Sequence, residues 1–230
     1  MGFAVLIDVL GSIIVGGILL LTLFRMNNNA TQNTYNFTGE LILQQNLVTT
    51  VETLEYEFRK IGYCENPINF PFPEQNSILF ADTSNVKFLT DLMISPYYDQ
   101  GNGVMDTIQY YLGPASELTE TPNPYDRMLY RVVNGQKTGV NLGITYFKVR
   151  YFRDSSTGTG STTLAEILPK DLPKVYVTGS PTGITAMQID IRVENTATYD
   201  AKEGEDDIDY NPYRHAFWRQ VRLSSRNLKR

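Results

Sequence analysis

From Phe3 to Phe24 the chain is an almost unbroken apolar run, with Asp8 as the one ionisable residue inside it and Arg25 at its end. Twenty-two residues at ~1.5 Å each are enough for a helix to cross a hydrocarbon core of roughly 30 Å. A secretory signal has a basic start and a shorter apolar stretch, neither of which is present, so the segment reads as a retained span. Leu6 stands where N-myristoylation needs Ser or Thr. Asp8 adds a second constraint, because an ionised carboxylate at the centre of a membrane helix costs about 2.5–3.5 kcal/mol and asks for a partner charge. Ser12 and Gly16 are four residues apart with Gly17 beside them, a small-residue pattern that lets helices approach closely in lipid. Lipid-facing tolerance of small residues accounts for the same pattern. Gly16 and Gly17 are also expected to be the weakest helical point of the span.

The other residues suffice for one globular domain with its own core. A formal charge of −5 argues against a phosphate-binding groove, so nucleic acid is not an expected partner. Cys64 is the only cysteine, which rules out an internal disulfide, and His215 is the only histidine, which removes most metal and nucleophile-base constellations. Cys64 is expected to be a small buried residue beside a helix end.

No proline precedes Pro67, so the first sixty residues are free to be helical. Met26 to Thr38 is rich in Asn and Thr, and is expected to fray or unwind locally. Beyond it, Leu47, Val51, Leu54, Phe58 and Ile61 follow a helical spacing that gives one apolar stripe, with Glu52, Glu55 and Arg59 off it. Glu55 and Arg59 form an i,i+4 pair, and Gly62 supplies a stop.

After Pro67 the period changes to that of strands. Asp106 to Leu112 alternates, and Tyr130 to Val133 runs into Asn134-Gly135, a strong hairpin signal, with Ile144 to Phe152 following. Met187, Ile189, Ile191 and Val193 alternate with polar residues, and Phe217 to Leu223 is a last strand. Asp99 to Gly103 and Ser155 to Thr163 read as Gly-rich loops. The pattern predicts an α+β fold: a long N-terminal transmembrane or assembly helix packed on an antiparallel β-sheet head, with the stripe from Leu47 to Ile61 as lid. The domain reading is 1–25 as the span, 26–66 as a helix extension packing on the head, and 67–230 as the β-rich head.

With these segments in order, the chain resembles a type IV pilin-like protein, specifically a minor pilin or pseudopilin of the PilW and GspJ type. Gly2-Phe3 resembles the prepilin peptidase site, the apolar run resembles the assembly helix, and Asp8 resembles its acidic residue. EYEFRKIGY (Glu55 to Tyr63), GNGVMDTIQYY (Gly101 to Tyr111) and VRLSSRNLKR (Val221 to Arg230) resemble the helix end, the loop-to-strand segment and the closing strand of that family. The resemblance implies processing between Gly2 and Phe3, assembly through Phe3, Asp8, Ser12, Gly16 and Gly17, and pairing of Asp8 with the N-terminal amine of an adjacent subunit. Cleavage after Gly2 makes Asp8 the sixth residue of the mature chain, where the family carries a Glu at the fifth. A snorkelling acid on an ordinary anchor is the alternative for Asp8.

The same resemblance implies a structural subunit of a pilus or secretion pseudopilus that forms a homo-oligomeric helical filament or joins other pilin-like subunits. It would sit in the bacterial inner membrane before assembly and at the cell surface afterwards. Orientation follows from the resemblance, because Lys and Arg are absent before the span. The alternative is a bitopic membrane-anchored surface protein whose β-rich domain binds a partner or ligand without polymerising. No cofactor is expected, and no enzyme, since a His pair, a nucleophile elbow and a phosphate loop are all missing. The acidic stretch Asp200 to Asp209 is a weak calcium candidate through Glu205, Asp206, Asp207 and Asp209, but does not fit EF-hand spacing and reads first as a solvated loop. Tyr97-Tyr98, Tyr110-Tyr111 and Phe217-Trp218 read mainly as sheet core, with a carbohydrate-contacting or subunit-contacting surface as the alternative. Asn29-Ala30-Thr31 and Asn36-Phe37-Thr38 match glycan sequons.

Overall fold

The computed structural model describes residues 2–70, 77–92, 101–121, 123–157, 161–172, 183–195, 216–224 and 227–228. It contains helix α1 (Gly2–Arg59) and strands β1 (Ile78–Ala81), β2 (Asn85–Thr90), β3 (Asp106–Leu112), β4 (Arg127–Val133), β5 (Gln136–Thr157), β6 (Ser161–Ile167), β7 (Ala186–Glu194) and β8 (Ala216–Leu223). The fold is α+β, one long N-terminal helix and an antiparallel sheet of eight strands. The chain divides into two compact units, Met1–Ile42 and Leu43–Arg230.

The first unit is helical throughout its described length. Gly16 and Gly17 do not break the helix, and the expected unwinding of 26–38 does not occur. Thr31, Thr34 and Thr38 turn their hydroxyls back onto the carbonyls of Asn27, Ala30 and Thr34 at 2.8–2.9 Å, so each polar side chain is satisfied inside the helix. Unwinding would break ladder bonds on both sides and require a new nucleus, which outweighs the modest propensity deficit of Asn and Thr.

In the second unit the apolar stripe is the inner lid of the sheet, as its spacing predicts. Leu47, Leu54, Phe58 and Ile61 are buried, Leu43 joins them one turn earlier, and Val51 packs at their edge. The Phe58 ring meets Phe88 edge-on at 5.2 Å and Tyr110 at 5.9 Å. Glu55 and Arg59 pair on the exposed side at 3.3 Å. Gly62, at φ +73°, sends its N–H to the Leu89 carbonyl at 2.8 Å and turns the chain away from the helix.

The strands run in the order β1-β2-β3-β4-β5-β7-β8, with β6 also paired to β5. β3 begins and ends where the alternation predicts. Asn134 and Gly135 form the two-residue hairpin between β4 and β5, both at positive φ, which matches the twist of the flanking strands. Asn134 also accepts from the Thr107 N–H at 2.9 Å and donates to Asp106 at 2.6 Å, tying the turn to the start of β3. In β7, Met187, Ile189, Ile191 and Val193 are all buried against the helix side.

β5 is longer than expected at both ends. Its first part pairs with β4, Ile144 to Phe152 pairs with β7, and Tyr151 to Thr157 pairs with β6. The change of partner is made at Gly143, at φ +64°, where a Cβ would lie 2.4 Å from the Glu194 carbonyl oxygen. The stretch 155–163 is correspondingly strand at both ends: Ser155 pairs with Thr163 and Thr157 with Ser161. β-branched Thr163 suits a pleated strand.

Candidate functional site

Among the described residues, the apolar run of the first unit stands exposed. Every large described apolar side chain from Phe3 to Phe24 is more than half exposed, from Leu10 at 51% to Phe3 at 79%. Asp8 is exposed, and the Ser12 hydroxyl bonds back to the Val9 carbonyl at 2.8 Å. A Cβ built on Gly11, Gly16 or Gly17 meets nothing within 4 Å. At about 100° per residue, Ser12 and Gly16 lie roughly 40° and 80° round from Asp8, forming one polar and small-residue face with Gly11 on its other side. Gly17 falls about 180° from Asp8 and Phe3 about 140°, so the five assembly candidates do not share one surface. Gly2 opens the helix one residue before Phe3.

In the head, the sheet and the helix are joined by a buried charge that the stripe alone does not reveal. Glu57 is 4% exposed and accepts from the Arg131 guanidinium at 2.5–3.2 Å and from the Tyr110 hydroxyl at 2.5 Å. Burial, then the neighbouring Glu57 charge, pushes the Tyr110 phenol far up, so it stays a donor. The Arg131 guanidinium is held up by Glu57 against the effect of its own burial. The helical spacing carried the signal, since Glu57 lies three after Leu54 and four before Ile61 on the buried face.

A second buried carboxylate explains the Gly-Asn-Gly segment. Asp91 is fully buried and accepts from the backbone N–H groups of Glu65, Asn102 and Gly103 at 2.8–2.9 Å. Asp106, the acid that opens β3, accepts from the Leu92 N–H at 3.0 Å. These acids are structural fasteners for the loop and the helix end. Cys64 beside them is half-buried, contrary to the expected full burial, because its Sγ points along the chain to the Asn66 carbonyl at 3.0 Å. Burial pushes its thiol up, which favours the protonated form.

On the sheet face away from the helix, Tyr146, Arg192 and Trp218 stand side by side on β5, β7 and β8. Together with Arg150, Asp190 and Ala216 they line a cleft of about 620 Å³. Trp218 is 68% exposed, so its expected place in the core is corrected: it lies on the outer side of an edge strand, while Phe217 beside it points inward and packs at the edge of the core. Tyr110 is buried and Tyr111 stacks on Tyr130 at 5.1 Å, whereas Tyr97-Tyr98 lies outside the described residues.

The calcium candidates Glu205, Asp206, Asp207 and Asp209 lie outside the described residues as well. Among the described residues, no group of three or more His, Cys, Asp or Glu side chains is placed to hold a metal ion.

No protein-family model matches this chain, and no curated protein matches it. Among solved structures, a type IV-like pilin from Thermus thermophilus is similar at 12% sequence identity and a TM-score of 0.40, covering 82% of this chain and 99% of that one.

Proposed function

We propose that this chain is a structural subunit of a type IV pilin-like filament, a minor pilin or pseudopilin of the PilW and GspJ type. In this reading it is anchored in the bacterial inner membrane by Phe3 to Phe24 and then drawn into a filament at the cell surface, where helices of other copies or related subunits replace lipid. The observation that carries it is the exposed apolar helix of the first unit, in a chain whose second unit has a hydrophobic core of its own. An all-round apolar helix with small residues on one face is suited both to lipid and to a bundle of like helices. Prepilin peptidase would act between Gly2 and Phe3, and Asp8 would pair with the amine of a neighbouring subunit. No catalysis, cofactor or nucleic-acid partner belongs to this role.

A plain anchor would use the same span but would make no use of Asp8. Asp8→Ala is therefore expected to abolish filament incorporation, scored in sheared surface fractions, while leaving membrane insertion intact. Unchanged incorporation would remove the pairing role. Mass spectrometry of the mature protein is expected to find Phe3 at its N-terminus, and an intact Met1 would count against processing.

A further inference from the structure

The cleft on the outer face of β5, β7 and β8 is built around Asp190. One of its oxygens accepts from Arg150 Nε and Nη2 at 2.9 and 2.7 Å, and the other from Gln220 and Gln188 at 2.7 and 3.1 Å. Gln188, itself 4% exposed, accepts in turn from Arg222 at 3.0 Å. Arg222 is further steadied over the Phe152 ring at 4.5 Å. In the next row Arg192 donates to Thr145 at 3.0 Å and forms an ion pair with Glu194 at 3.1 Å. The polar groups are thus fixed by one another across three strands before any ligand arrives, which is the preorganisation a binding site needs.

Two further features narrow the ligand. Tyr146 and Trp218 stand at opposite ends of the Arg192 row, two strand spacings or about 10 Å apart, and both leave much of their rings in water, 42% and 68% exposed. An aromatic ring beside planar polar groups suits a ligand with an apolar C–H face and hydroxyls round its rim. The charges also largely cancel: Arg150 pairs with Asp190 and Arg192 with Glu194. An acidic peptide would meet carboxylates already in place. Hydroxyls, which donate and accept at once, match a surface offering guanidinium and amide donors beside carboxylate and amide acceptors.

We infer that this cleft is a binding site for an uncharged saccharide, with Trp218 stacking on a pyranose ring and the Arg150 and Arg192 side chains, held in place by Asp190 and Glu194, bonding its hydroxyls. This site does not depend on the proposed function, and its test runs on the monomer.

Trp218 is the only tryptophan in the chain, so its fluorescence reports the cleft directly. The full chain, held in a detergent without a sugar headgroup, is titrated with maltotriose, galactotriose and the N-acetylglucosamine trimer. At least one is expected to give a saturable change in Trp218 emission at millimolar concentration. By calorimetry, Trp218→Ala is expected to weaken that sugar about tenfold, and Trp218→Phe to restore most of the affinity. Because Trp218 lies on the surface, circular dichroism of both variants should match the parent. The inference is overturned if none of the three sugars gives a saturable change, if Trp218→Ala binds as tightly as the parent, or if hexaglutamate produces the same response as the sugars.

Discussion

Removing the carboxylate of Glu57 strands the Arg131 guanidinium and the Tyr110 hydroxyl together, since both point at it from the sheet. Breaking a fully buried pair costs about 3–5 kcal/mol, and Arg131 is about a third exposed, so Glu57→Ala is expected to cost about 2–3 kcal/mol in chemical denaturation. Replacing all three by apolar residues of similar size should cost less than the single change. Asp126 makes the opposite case. It is 1% exposed, one oxygen accepts from Thr121 at 2.8 Å, and the other has no donor among the described residues. Burial raises its pKa above the ordinary 3.8, so the fold favours the protonated acid. The folded state then loses stability as pH rises from the unfolded pKa through the raised folded one. Asp126→Asn is expected to raise Tm at neutral pH by a few degrees, about what 1 kcal/mol produces in a chain of this size, and to gain nothing well below pH 3.8. Neither acid stands out in the sequence, where each reads as an ordinary surface carboxylate; only helix phase marks Glu57, and nothing local marks Asp126.

Elements were legible where one period ran long enough to repeat. The stripe from Leu47 to Ile61, the β7 alternation and the Asn134-Gly135 hairpin each carry several residues that agree on one face, and each forms as read. Phe58→Ala, which empties the contact with Phe88 and Tyr110, is expected to cost about 3–5 kcal/mol by the same denaturation assay. What was not legible depended on contacts far away in sequence. β5 extends beyond its apolar core because β4 and β6 give partners to its polar ends, and Gly143, between the β4-paired and β7-paired parts, faces the Glu194 carbonyl of β7 without a Cβ. Gly143→Ala combines positive φ with a collision against backbone, and is expected to cost at least about 1–2 kcal/mol. The helix through Asn27 to Thr38 shows the converse error, in which weak local propensity is overruled by cooperativity along a continuous ladder.

For the molecule as a whole, the two units ask for different surroundings. The head buries Phe58, Phe88, Tyr151 and the β7 face in a core of its own, and is closed at the chain end by Leu228 and by the Asn227 carbonyl, which accepts from Ser77 at 3.1 Å. The described large apolar side chains of the first unit from Phe3 to Phe24 stand exposed, an apolar surface that water does not tolerate on this scale. In the proposed function lipid satisfies it first and neighbouring helices satisfy it afterwards. The sequence made the span and the head visible, while the separation of Gly17 from the Asp8 face emerges only from helix geometry. In the proposed function this helix polymerises. Immunogold electron microscopy of material sheared from cells that make the chain should show labelled filaments; recovery of the chain only in the membrane fraction, with no labelled filament, would rule that role out.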